Sequence, residues 1–226
     1  MTPEFENSEL RDTFGRVHRD MRVSLTDRCS LRCTYCMPAD FADWLPSEHL
    51  LNTDEMLTVL DVATHLGINQ IRLTGGEPLL RPDAVEVVRR INQLQKRPRI
   101  SLTTNALRLP DLAKPLAEAG LERVNVSLDT LDADRFKQLT HRDRFEDVIA
   151  GLEAAKAAGL TPVKVNAVLM RGVNDDEAIP LLRHALAHGW NLRFIEQMPL
   201  DAGGLWARTD RKSTRLNSSH QIIFVC

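Results

Sequence analysis

Gln70-Ile-Arg-Leu-Thr-Gly-Gly-Glu-Pro-Leu-Leu-Arg-Pro-Asp-Ala-Val-Glu-Val-Val-Arg-Arg-Ile91 decides the fold class. Its first residues, Gln70–Thr74, form a short β-branched run that reads as a strand. Gly75 and Gly76 let the chain turn or approach another backbone closely. Pro82 suits the first turn of a helix, and Val85, Val88 and Ile91 fall on one helical stripe. The stretch is one strand–turn–helix unit.

The same rhythm repeats on both sides. Further candidate strands are Arg22–Thr26, Arg99–Thr104, Arg123–Leu128, Val163–Leu169 and Asn191–Ile195. They read as buried on both faces rather than alternating. Asn52-x-x-Glu55 is a capping box ahead of Met56, Leu60 and Ala63, with Gly67 as the stop. Glu146–Ala158 carries Ile149, Leu152 and Ala155 at helical spacing before Gly159. Asp175–His188 is a further helix ended by Gly189, and Asp111–Ala119 a shorter one interrupted by Pro115. Repeated strand–helix units imply right-handed crossovers and a parallel sheet. An open doubly wound sheet and a closed or partial β/α barrel both satisfy this pattern. In either, chemistry sits at the carboxyl ends of the strands.

Twenty-nine basic residues against 31 acidic ones in 226 imply no broad attraction to nucleic acid or membrane. The N-terminus is acidic and polar, unlike a secretion signal. No apolar run approaches the ~20 residues that span a bilayer. Clustered, unpaired cysteines fit a reducing cytoplasm. Residues 210–226 break the rhythm: Asp210–His220 has no apolar period and resembles the translation of a sequencing adapter. The native sequence is therefore expected to end near Thr209.

Cys29-x3-Cys33-x2-Cys36 is the chemically loaded segment. Thiolates so close together favour a soft metal centre. Zinc would want a fourth ligand at short spacing, and neither His18 nor His49 supplies it. Three cysteines cannot all pair as disulfides. An iron–sulfur cube with one open iron, a zinc site and inert thiols stay open on spacing alone.

Cys-x3-Cys-x2-Cys with Tyr35 before the last cysteine resembles the signature of the radical S-adenosylmethionine superfamily. Thr74-Gly-Gly-Glu-Pro78 resembles that superfamily's motif for the amino group of the cofactor. A finer resemblance runs from about Phe14 to Met198. Its blocks are Asp27-x-Cys-x3-Cys-x-Tyr-Cys, Arg72-Leu-Thr-Gly-Gly-Glu-Pro, Thr103-Thr-Asn, Asn125-Val-Ser-Leu-Asp-Thr-Leu-Asp, Lys164-Val-Asn-Ala-Val-Leu-Met and Leu192-Arg-Phe-Ile-Glu-x-Met. In that order they are similar to the GTP 3′,8-cyclase family of molybdenum cofactor biosynthesis.

The resemblance implies a partial, three-quarter TIM-like barrel of about six β/α units over residues 16–209, after an N-terminal arm, 1–15. It implies that Cys29, Cys33 and Cys36 hold a [4Fe-4S] cluster. Tyr35, Gly76, Ser127 and Met198 would line the S-adenosylmethionine site, and Arg22, Arg72, Thr103 and Lys164 would reach GTP. No catalytic residue is implied beyond cluster and cofactor. The implied reaction is reductive cleavage of S-adenosylmethionine to a 5′-deoxyadenosyl radical, which converts GTP to 3′,8-cyclo-7,8-dihydro-GTP. An electron donor is implied as a partner, and a homodimer as an assembly. The family's chain continues into a second cluster that is not found here, so the expectation is a fragment inactive in the full reaction.

The cation assignment has its own physical sense. A triphosphate is strongly anionic, and Arg22, Arg72 and Lys164 lie in or beside candidate strands. Cations inside a barrel are costly unless an anion meets them. Each also has a plainer reading as a strand-end charge, Ser127 and Thr103 as strand polar residues, and Met198 as core filler. Asp129 and Glu196 read as groups that orient neighbours or pair with cations. His184 and His188, four apart, read as a solvated helix face. The competing functions are another radical S-adenosylmethionine enzyme, such as a peptide-modifying one, and a non-catalytic zinc-binding module.

Overall fold

In the computed structural model, which describes residues 9–197 and 223–224, six parallel strands follow one another across a single sheet in chain order. They are β1 (Asp20–Ser24), β2 (Gln70–Thr74), β3 (Arg99–Thr104), β4 (Arg123–Ser127), β5 (Lys164–Leu169) and β6 (Asn191–Glu196). A two-residue strand, β7 (Ile223–Phe224), pairs antiparallel with β6. The helices among the described residues are α1 (Thr53–His65), α2 (Ala84–Asn92), α3 (Leu109–Glu118), α4 (Ala133–Thr140), α5 (Phe145–Ala157) and α6 (Ala178–His188).

The order settles the architecture. A doubly wound sheet reverses at a switch point and carries helices on both faces. Here β1 to β6 run without reversal, and right-handed crossovers then put every helix on one side. Among the described residues the sheet does not close on itself. This is an open, partial TIM-like barrel.

Local signals account for most elements. The Asn52 side chain accepts the Glu55 N–H at 3.0 Å, and the Glu55 carboxylate accepts the Asn52 N–H at 2.9 Å. Such a reciprocal cap at the start of α1 contributes about 1 kcal/mol. Met56, Leu60 and Ala63 then bury one stripe of α1. Gly189, at φ 72°, ends α6 in the left-handed region that favours glycine. Asp175–Glu177 is a short 3-10 turn leading into α6 rather than part of it.

Two expectations are corrected. The strands alternate: Ile71, Leu73, Val124, Val126, Val165 and Ala167 are fully buried against the helices, while Arg22, Arg72, Asn125 and Lys164 lie on the other face. Only the helix side is a sealed apolar core, and the opposite face is polar. The second correction is α4, which the periodicity did not predict. Its large apolar residues are Phe136 and Leu139 alone, both buried. The Asp132 side chain caps it by accepting the Arg135 N–H at 2.7 Å. No described helix is long and apolar enough to cross a membrane.

Candidate active site at the strand carboxyl ends

The cysteine loop leaves the end of β1 and is braced from three directions. From below, Cys29 and Cys33 pack on the apolar core. From α4, the carbonyls of Thr140 and Leu139 accept the N–H groups of Arg32 and Thr34, each at 2.9 Å. From β2, the glycine turn lies against the loop backbone. Gly76 N–H donates to the Thr26 carbonyl at 2.7 Å, and Glu77 N–H to the Arg28 carbonyl at 2.7 Å. A Cβ on Gly76 would stand 2.3 Å from the carbonyl oxygens of both Asp27 and Arg28, so only glycine fits.

Glu77 is 1% exposed and holds this corner together. Its carboxylate accepts the Leu79 N–H at 3.0 Å, the Thr104 hydroxyl at 2.7 Å and the Asn105 N–H at 2.7 Å. Burial pushes its carboxyl up; these hydrogen bonds and Arg108 act against that. The Asn105 amide then reaches Ser30 Oγ in the cysteine loop at 2.9 Å.

Cys29, Cys33 and Cys36 are free thiols, the first two half-buried and the third exposed. Burial is the first cause that pushes all three up, and the charges of its neighbours Cys29 and Cys36 push Cys33 further. Mutually repelling thiolates in such a place need a metal to offset them. No three His, Cys, Asp or Glu side chains among the described residues close on a single ion. That spread suits separate iron corners of a cube better than one tetrahedral zinc.

Tyr35 lies between the last two cysteines, and its hydroxyl donates to Asp129 Oδ2 at 2.6 Å. Asp129 stands just past β4 and is 5% exposed. Burial raises its carboxyl from 3.8 to about 6, while the Tyr35 hydroxyl and the Val168 N–H act the other way. Ser127, the last residue of β4, is half-buried on the polar face, in register with Asn166. Met198 lies outside the described residues, so four of the cofactor and cluster neighbours can be placed and one cannot.

The residues assigned to GTP share the polar face. Arg22 is directly opposite Arg72, Arg72 opposite Ser101, and Ser101 opposite Arg123. One step along, Thr103 faces Asn125 and Asn125 faces Lys164. Arg193 faces Asn166. With Arg99, each of the six parallel strands contributes one cation to this side. Burial lowers Lys164 first, and Arg193, Arg123, Arg72 and Arg99 lower it further. Asp20 reaches Arg72 at 3.4 Å and Glu122 reaches Arg99 at 2.9 Å. Arg72 Nε and Asn166 Oδ1 are buried without a hydrogen-bond partner, a state that costs about 1–3 kcal/mol each. Arg123, Arg193, Asn125 and Asn166 were missed in the sequence. Their signal was the shared parity with Arg72 and Lys164 along neighbouring strands.

The profile of the Radical SAM superfamily matches residues 23–185. This chain belongs to the radical SAM superfamily. Membership implies S-adenosylmethionine and a [4Fe-4S] cluster as cofactors. A GTP 3′,8-cyclase of Streptomyces coelicolor is 60% identical over 200 residues, 88% of this chain and 59% of the relative. One from Mycolicibacterium smegmatis is 54% identical over 208 residues, 92% of this chain and 58% of the relative. The chain thus spans just over half the length of these relatives. Among solved structures, Streptococcus suis SuiB bound to S-adenosylmethionine aligns with a TM-score of 0.67 at 19% identity, covering 80% of this chain and 41% of that one. The radical SAM protein anSMEcpe with bound AdoMet aligns at 0.63 and 18%, covering 79% and 52%. These two likenesses concern the fold.

Proposed function

We propose that this chain is the radical-initiating part of a GTP 3′,8-cyclase. Cys29, Cys33 and Cys36 would hold the cluster; Tyr35, Gly76, Ser127 and Met198 would line the S-adenosylmethionine site. When bound, cluster and cofactor supply a 5′-deoxyadenosyl radical, the oxidant for a C–H bond of the nucleotide ribose. Everything else falls to the chain's own side chains. Arg22, Arg72, Thr103 and Lys164 would bind GTP, with Arg123 and Arg193 adding charge on the same face.

One observation carries the reading: a set of inward cations, one per parallel strand, too costly for a barrel interior that meets no polyanion. The orphaned Arg72 Nε and Asn166 Oδ1 support the same view. The names of the relatives supply the identity of the anion. A peptide substrate would leave that charge unanswered. An electron donor and a reducing, cytoplasmic setting complete the proposal, in keeping with three free thiols.

Equilibrium binding to the anaerobically reconstituted chain tests it. GTP is expected to bind at least tenfold more tightly than guanosine, with affinity falling as salt rises. Equal affinity for the two would overturn the reading.

A further inference from the structure

Asp129 is held more firmly than a residue just beyond a strand needs to be. Its Oδ1 accepts the Val168 N–H from β5 at 2.8 Å. Its carbonyl accepts the side-chain amide of Asn174 at 2.8 Å. Asn174 is itself fully buried; it donates to the Val168 carbonyl at 2.9 Å and accepts the Met170 N–H at 2.7 Å. These bonds leave Asp129 Oδ2 as a preset acceptor aimed at one group, the Tyr35 hydroxyl, 94 residues away in the chain.

Tyr35 is two residues from Cys33, and its hydroxyl also lies within hydrogen-bonding reach of the Cys33 sulfur. A phenol has one proton to give. A buried carboxylate and a sulfur therefore compete for it. Hydrogen bonds to ligand sulfurs, and charge near them, set the reduction potential of an iron–sulfur cluster. The Tyr35 hydroxyl is thus engaged by the protein, and only the rest of the side chain is available to line a cofactor.

We propose that Asp129 is a positioning residue that acts through the Tyr35 hydroxyl on Cys33 and so sets the reduction potential of the cluster. The inference rests on the cluster reading above. Asp129→Asn keeps an oxygen for the Val168 N–H but weakens the claim on the tyrosine proton and removes a negative charge. Both changes favour the reduced cluster.

The test is an EPR-monitored redox titration of the reconstituted chain, with iron content measured in parallel. Four variants are compared: the parent, Asp129→Asn, Tyr35→Phe and the double substitution. Asp129→Asn is expected to raise the potential, and Tyr35→Phe to lower it by removing a donor to sulfur, with iron content unchanged in each. In the Tyr35→Phe background at least half of the Asp129→Asn shift should disappear. An equal or larger shift there, or none in either background, would overturn the inference, because the effect would then not pass through the hydroxyl. If Asp129→Asn does not fold, an unchanged potential in Tyr35→Phe alone overturns it. Absence of bound iron in the parent would instead remove the cluster reading itself.

Discussion

The Glu77 carboxylate accepts the backbone N–H of Asn105 at 2.7 Å, joining the turn after β2 to the end of β3. Asn105 passes the link on to Ser30 in the cysteine loop. The carboxyl is raised above its ordinary 4.5 because it is buried. A raised acid adds stability below its unfolded value, and that stability is lost as pH rises through the folded value. Glu77→Gln cannot lose a proton, but its amide would face the Asn105 N–H, leaving one donor unmet at about 1–3 kcal/mol. The variant is therefore expected to be less stable than the parent at pH 4, with the deficit narrowing above pH ~4.5. Urea melts of both proteins across that range check the sign; a deficit that widens with pH would contradict it.

Gly75 and Gly76 are fixed by the loop they touch. A Cβ on Gly75 would stand 2.2 Å from the Thr26 carbonyl oxygen, at a φ of 141°. Gly76→Ala must push the cysteine loop away, which is expected to cost about 1–3 kcal/mol and most of the bound iron. Gly159→Ala is the control: its φ is 76°, but nothing lies within 4 Å. It should cost about 1 kcal/mol and leave iron binding intact. Iron and sulfide content after anaerobic reconstitution separates the two.

Lys164 is placed for binding at the expense of stability. It is desolvated and surrounded by Arg193, Arg123, Arg72 and Arg99. Lys164→Met keeps the length of the stem and removes the charge. Its melting temperature without nucleotide is expected to rise, while GTP affinity falls about tenfold or more, the worth of one charged hydrogen bond. A variant that melts lower and binds GTP as the parent does would place Lys164 among structural residues.

The cysteine loop depends on α4 through the Leu139 and Thr140 carbonyls. Asp132→Ala removes the cap that starts this helix and is expected to cost about 1 kcal/mol. The loss should appear locally. Hydrogen exchange at the Arg32 and Thr34 amides should speed up more than exchange in β3 or β4, as measured by NMR or mass spectrometry. Uniform acceleration across the chain would argue against a local brace.

The sequence reading found all six parallel strands within two residues at each end, because each is a short β-branched run between turn residues. It could not choose between a barrel and a doubly wound sheet on periodicity, since strand order is a long-range property. It missed α4 because Ala133–Thr140 is short and holds only two large apolar residues. The polar lining was half legible. Arg72 and Lys164 stood out within motifs, whereas Arg123 and Arg193 emerge only when strand parity is set across the register. The partnership of Asp129 with Tyr35 spans 94 residues and had no local signal.

The central claim is that Cys29, Cys33 and Cys36 hold a cube of four irons with one corner left for S-adenosylmethionine. Mössbauer spectroscopy of the anaerobically reconstituted, iron-57-labelled chain tests it most directly. The account predicts a [4Fe-4S] signal in which one iron site changes when S-adenosylmethionine is added, and its loss in Cys33→Ala. A chain that binds one zinc and no iron, or a cube whose four irons all ignore S-adenosylmethionine, would contradict it.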